Sequence, residues 1–136
     1  MAGFGAAAAD ALSGLDTYTQ IAQLRDQVEA ALADNAKVYG AGAQRLANTL
    51  CVGMPGVAAE TQVMSFDLAG LAVSAGSACS SGKVEPSHVL LAMGANASEA
   101  AEAVRISFGL GNTEADVARV IDVWQTLHQR HAEAAA

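Results

Sequence analysis

"AVRISFG", residues 103–109, sets Val104, Ile106 and Phe108 in alternation with Arg105 and Ser107. A period of two marks a strand with one face buried and the other wet. Just beyond it, Thr113 can cap a helix, and Glu114 and Asp116 suit the positive end of that helix. Val117, Val120, Ile121, Trp124 and Leu127 then fall on one apolar helix face. A strand that hands on to an amphipathic helix through one short loop belongs to a layered α/β fold.

Upstream, the chain supplies the remaining layers. From Gly5 to about Asn35 the spacing predicts helix, with Ile21, Leu24, Val28, Ala31 and Leu32 on one face and a bend or break at Gly14. "TLCVGM" (49–54) predicts a strand. Thr49, Cys51 and Gly53 lie on one side of it, Leu50, Val52 and Met54 on the other, and Pro55 and Gly56 end it. Residues 59–69 predict a helix stopped by Gly70, and "LAVSA" (71–75) predicts a second short strand. Pro86 suits the first turn of a further helix, which Gly94 closes. The order is helix, strand, helix, strand, loop, helix, strand, helix. The expected fold class is α/β, a short sheet covered by helices, in a single domain over residues 1–136.

Composition narrows the function classes. Of the 136 residues 52% are hydrophobic, which is enough for a core, although much of that fraction is alanine. Fourteen acidic against seven basic residues give a net charge of −7, which argues against nucleic-acid and anionic-membrane partners. The start "MAGFGAAAADAL" has no Lys or Arg before Arg25, unlike a secretory or transit leader. The expectation is a cytoplasmic protein whose two cysteines, Cys51 and Cys79, are free thiols.

The two thiols read differently. Cys51 stands between Leu50 and Val52 on a predicted strand and is expected in the core. Cys79 stands in "GSACSSGK" (76–83), among glycines and serines. Loop N–H groups, serine hydroxyls and Lys83 can stabilise a thiolate there, so a nucleophile and a fortuitously exposed cysteine are both open readings. A phosphate-binding loop is not, because five residues separate Gly76 from Gly82 and Val84 follows Lys83 where a hydroxyl is needed. His88, His128 and His131 are too few for a zinc site, and the last two are expected on a solvated helix face. Arg105 lies opposite the apolar strand face, where its rigid fork suits either a carboxylate ligand or a surface salt bridge.

Taken together, "LAGLAVSAGSACSSGKVEPSHVLLAMG" (68–94) and "AVRISFGLGNTEADV" (103–117) resemble the C-terminal part of the cysteine desulfurases. "RLANTLCVGMPG" (45–56) is similar to the strand that precedes it in that family, where proline often occupies the position of Ala47. "GFGAAAADAL" (3–12) resembles the helix leaving the family's large domain. Those enzymes depend on pyridoxal phosphate and have the class V aminotransferase fold, and the loop is similar to the housekeeping and nitrogen-fixation branch. The resemblance covers nearly the whole chain.

It implies that this is the small C-terminal domain of that fold. Cys79 would be the catalytic nucleophile, taking sulfur from L-cysteine as a persulfide and leaving L-alanine. Arg105 would hold the substrate carboxylate. The loop from Ala75 to Lys83 would carry the persulfide to an iron–sulfur scaffold or another sulfur-acceptor protein, and the full-length enzyme would be a homodimer. The family's cofactor lysine, with the histidine and aspartate that hold the pyridine ring, belongs to a large domain preceding this segment. Lys37 and Lys83 stand in other contexts. The chain is therefore expected to be a C-terminal piece, inactive alone, with no cofactor-binding or metal-ligating residue of its own. A free-standing sulfur-relay module built on Cys79 and an inactive remnant are the alternatives.

Overall fold

The computed structural model describes residues 2–75 and 86–136. The N-terminal quarter is helical and divided at the expected glycine. Helix α1 (Ala2–Ser13) ends at Gly14, a 3-10 turn spans Leu15–Thr17, and α2 (Tyr18–Leu32) follows. Alanine, the strongest helix former, carries α1, which buries none of its residues. Helix α2 buries Ile21, Val28 and Leu32 at helical spacing.

Among the described residues four strands and four more helices follow: β1 (Lys37–Tyr39), β2 (Thr49–Gly53), α3 (Ala59–Leu68), β3 (Ser74–Ala75), α4 (His88–Ala92), α5 (Ala97–Ala101), β4 (Ala103–Ser107) and α6 (Glu114–Ala135). The glycine stops act as expected. Gly70 and Gly94 take φ of 74° and 91°, the left-handed region glycine enters without strain. Each lets the next N–H fold back onto its helix, Leu71 N donating to Phe66 O and Ala95 N to Leu90 O.

Several boundaries differ from expectation. β1 was not foreseen, because three residues before a glycine turn are too few to show alternation. The strand expected over 71–75 shrinks to its last two residues, since Leu71 is still engaged in closing α3. The helix expected to open at Pro86 starts after Ser87, whose hydroxyl accepts from Leu90 N at 3.4 Å, so Pro86 precedes the cap. α5 was also missed. It is one short segment held by a reciprocal cap, Asn96 Oδ1 accepting from Glu99 N and Glu99 Oε2 accepting from Asn96 N. At α6, Thr113 donates its N–H and its hydroxyl to Asp116 Oδ2, which holds that carboxyl below its ordinary range, the backbone bond first.

The strands form one antiparallel sheet in the order β1-β2-β4-β3. The central pair runs from Thr49↔Ser107 to Gly53↔Ala103. Alternation then assigns the faces. Leu50, Val52, Met54, Val104, Ile106 and Phe108 pack with residues of α2, α3 and α6, including the fully buried Phe66 and Trp124. This is the main core, and it is the layered α/β arrangement expected. On the opposite face, a smaller cluster sets Leu90, Ala95 and Ala100 of the α4–α5 region against Tyr39 and Ala103. That cover is partial. Arg105 and Ser107 remain exposed on it.

Candidate functional site

The partly covered face carries a row of four side chains, one from each strand. Tyr39 pairs with Cys51, Cys51 with Arg105, and Arg105 with Ser74. The strand period alone brings them to one side, because their neighbours Val38, Leu50, Val52, Val104 and Ala75 turn to the main core. Tyr39, Cys51 and Arg105 line a groove of about 460 Å³. Its walls are the β1–β2 connection, through Arg45 and Leu46, and α4 with its C-cap, through Val89 and Met93.

Helix α2 fixes the first wall. Arg25 Nη1 donates to Leu46 O at 2.8 Å while its Nη2 meets Asp26 Oδ1 at 2.6 Å. Glu29, one turn further on, pairs with Arg45 Nη2 at 2.8 Å. The guanidinium of Arg45 thereby has its counter-charge. Arg105 has no ion pair among the described residues, where the pairs are Arg25–Asp26, Lys37–Glu99 and Arg45–Glu29. Among the described residues no aspartate or glutamate lines the groove, so Arg105 is the charge there without a described counter-ion.

Burial pushes the Cys51 thiol up, and the nearby Arg105 charge partly offsets this. Burial likewise raises Tyr39, followed by Glu99 and by Cys51 itself. The Tyr39 hydroxyl donates to Glu99 O at 3.2 Å, and Lys37 Nζ lies 5.6 Å from the Tyr39 ring centre. Lys37 is held by Glu99 Oε1 at 2.5 Å and does not line the groove.

The structure revises one reading and leaves another open. Cys51 is not a thiol of the main core. Its apolar sequence neighbours face the core, whereas Cys51 points to the opposite side, half-buried beside Arg105. Arg105 is exposed on the strand face opposite the core, as its parity implies. Cys79, Lys83 and the flanking Gly76 and Gly82 lie outside the described residues. Of that loop's expected span, Ala75 is described, and it ends β3 beside Val104. His128 is partly buried against Trp124, their rings stacked at 5.2 Å, rather than simply solvated. The groove's apolar wall was missed. Its residues come from segments that meet only through the β2–β4 register, and no local periodicity marks them.

The sequence profile of the family described as Aminotransferase class-V matches residues 2–120. A cysteine desulfurase of Gluconacetobacter diazotrophicus is 43% identical over 125 residues, covering 89% of this chain and 31% of that protein. The cysteine desulfurase NifS of Azotobacter vinelandii is 37% identical over 123 residues, covering 88% of this chain and 31% of that protein. Among solved structures, the NifS-like protein from Rickettsia africae superposes with a TM-score of 0.82 at 30% identity, over 94% of this chain and 34% of that one. The chain thus spans about a third of the length of these relatives. A family match that takes in the whole sheet and both of its faces leads to one conclusion: the chain belongs to the class-V aminotransferase family.

Proposed function

We propose that the chain is the single small domain, residues 1–136, of a cysteine desulfurase. In this reading Cys79 is the sulfur-accepting nucleophile and Arg105 binds the carboxylate of L-cysteine. The observation that carries it is the placement of Arg105, exposed on the partly covered sheet face without a described ionic partner, in the strand that pairs with β3. Ala75, the end of β3, lies four residues before Cys79, and four residues of extended chain reach at most about 14 Å. The names of the relatives support the reaction class.

The chemistry balances without a further oxidant or reductant. The substrate sulfur becomes bonded to the Cys79 sulfur as a persulfide, its bond to the β-carbon breaks, and that carbon gains a proton to give L-alanine. A guanidinium on the carboxylate fixes the substrate by a two-point hydrogen-bonded contact. Class-V aminotransferases depend in general on pyridoxal phosphate, which supplies an electron sink when bound. The described residues do not fit that group: Lys37, the lysine among them, is tied to Glu99 away from the groove. The cofactor would therefore come with the two-thirds of the relatives that this chain does not span. The persulfide would pass to a sulfur-acceptor protein such as an iron–sulfur scaffold, in a cytoplasmic, homodimeric assembly.

A chimaera tests this. Replacing the matching third of the Gluconacetobacter desulfurase with this chain is expected to preserve alanine production from L-cysteine. Cys79→Ser in the chimaera is expected to abolish it, because an oxygen cannot carry the persulfide, and Arg105→Ala to raise KM for cysteine. Retention of sulfur transfer by the Cys79→Ser chimaera overturns the assignment.

A further inference from the structure

The groove offers more than a carboxylate contact. Its volume of about 460 Å³ falls among sites that enclose small organic ligands, roughly 300–1,000 Å³. Three large apolar side chains on its walls are left uncovered, Leu46 at 73% exposure and Val89 and Met93 at 53% each. They come from two separate segments, the β1–β2 connection and α4 with its C-cap, and converge on one concave surface. An uncovered apolar surface with a polar border marks a binding face rather than a stabilising one.

Charge selects the ligand. Two guanidiniums line the groove, and Arg45 is neutralised by Glu29. Arg105 is the one without an ionic partner among the described residues, none of which puts a carboxylate on the lining of the groove. A neutral apolar molecule would leave that charge unanswered, and a cation would be repelled.

We infer that the groove binds monocarboxylates that carry an unbranched apolar body of several carbons, the carboxylate on Arg105 and the body against Leu46, Val89 and Met93. The inference rests on the reading of Arg105 as a carboxylate partner and extends it to what lies beyond the carboxylate. The class includes α-amino acids with a longer apolar side chain than cysteine. Such molecules would occupy the groove in competition with a small amino-acid substrate.

The test follows amide shifts of the isotopically labelled 136-residue chain by NMR during titration with sodium acetate, sodium hexanoate, hexylammonium chloride and 1-hexanol. Each methylene withdrawn from water is worth about fourfold in affinity. Hexanoate is expected to bind at least about tenfold more tightly than acetate, since two or more methylenes reach the wall, shifting residues of β4 and α4 together. Hexylammonium and hexanol are expected to shift neither set. Arg105→Gln is expected to remove hexanoate binding. Met93→Ser, which shortens the apolar wall without adding a charge, is expected to weaken hexanoate and leave acetate unchanged. Equal affinity for acetate and hexanoate, both lost in Arg105→Gln, overturns the extended groove while leaving the carboxylate role of Arg105 intact. Hexanoate binding that survives Arg105→Gln, hexanol binding as tight as hexanoate, or the absence of any shift overturns both.

Discussion

Cys51 and Arg105 face each other across the β2–β4 pair, on the sheet side that the main core does not use. Burial raises the Cys51 thiol pKa and the neighbouring guanidinium pulls it partly back. Alkylation by a small neutral reagent is therefore expected in the folded protein, with a pH midpoint above the ordinary thiol value of about 8.5. Arg105→Gln should move that midpoint further up. For a thiol whose folded pKa is raised, the linked stability is fully present below the unfolded pKa and is lost as pH rises through the folded one. An alkylation profile that shifts down in Arg105→Gln would contradict the pairing.

Glu99 titrates in the opposite direction. Its bond from Lys37 lowers its pKa first, and the Asn96 N–H adds to this. Because the folded pKa is depressed, the linked stability is present above the unfolded value and is lost as pH falls through the folded one. Lys37→Met should raise the Glu99 midpoint in a carboxyl NMR titration. The Glu99 side chain keeps about a third of its surface in water and the pair lies at the surface, so the change in stability should be small.

Gln62 is fully buried at the join between the layers. Its Nε2 donates to Val57 O at 2.8 Å and to Glu102 O at 2.6 Å, tying the turn after β2 to the residue just before β4. Gln62→Leu removes both bonds, although Glu102 O keeps the Met54 N–H. A loss of about 1–3 kcal/mol is expected in urea unfolding, with the slope unchanged. A neutral result would mean that these carbonyls find other partners.

Helix α1 contributes exposure rather than burial. Phe4 and Leu12 are 83% and 71% exposed. Deleting residues 2–13 should change unfolding free energy by no more than about 0.5 kcal/mol, as for surface changes generally. It should also reduce the binding of a hydrophobic dye. A large fall in thermal midpoint would show that α1 stabilises the rest of the chain.

The elements legible in the sequence were those long enough to repeat their own period. Residues 104–108, β4 and the residue after it, show three apolar and two polar positions in strict alternation, and α6 shows five apolar positions on one face, so both were placed and their faces assigned. The parity of Arg105 gave its exposure directly. β1 and α5 are shorter than the window in which a period can be recognised, and β3 was overdrawn because Leu71 caps a helix while looking like a strand residue. Cys51 shows a subtler failure. Its adjacent residues Leu50 and Val52 are core residues, yet adjacency on a strand means opposite faces. The register that sets it beside Arg105 is a non-local fact, fixed by pairing between segments about fifty residues apart. The groove inherits the same obscurity.

The division of the sheet into two faces also governs how changes in this protein combine. Leu50, Val52, Val104 and Ile106 pack in the main core, while Cys51 and Arg105, between them in sequence, face the groove on the other side. Substitutions that share no contacts usually add within about 0.5 kcal/mol. The lining of the groove can therefore drift, residue by residue, at little cost to the fold beneath it, and a new specificity can arise on one face of a strand while the other face keeps the chain folded.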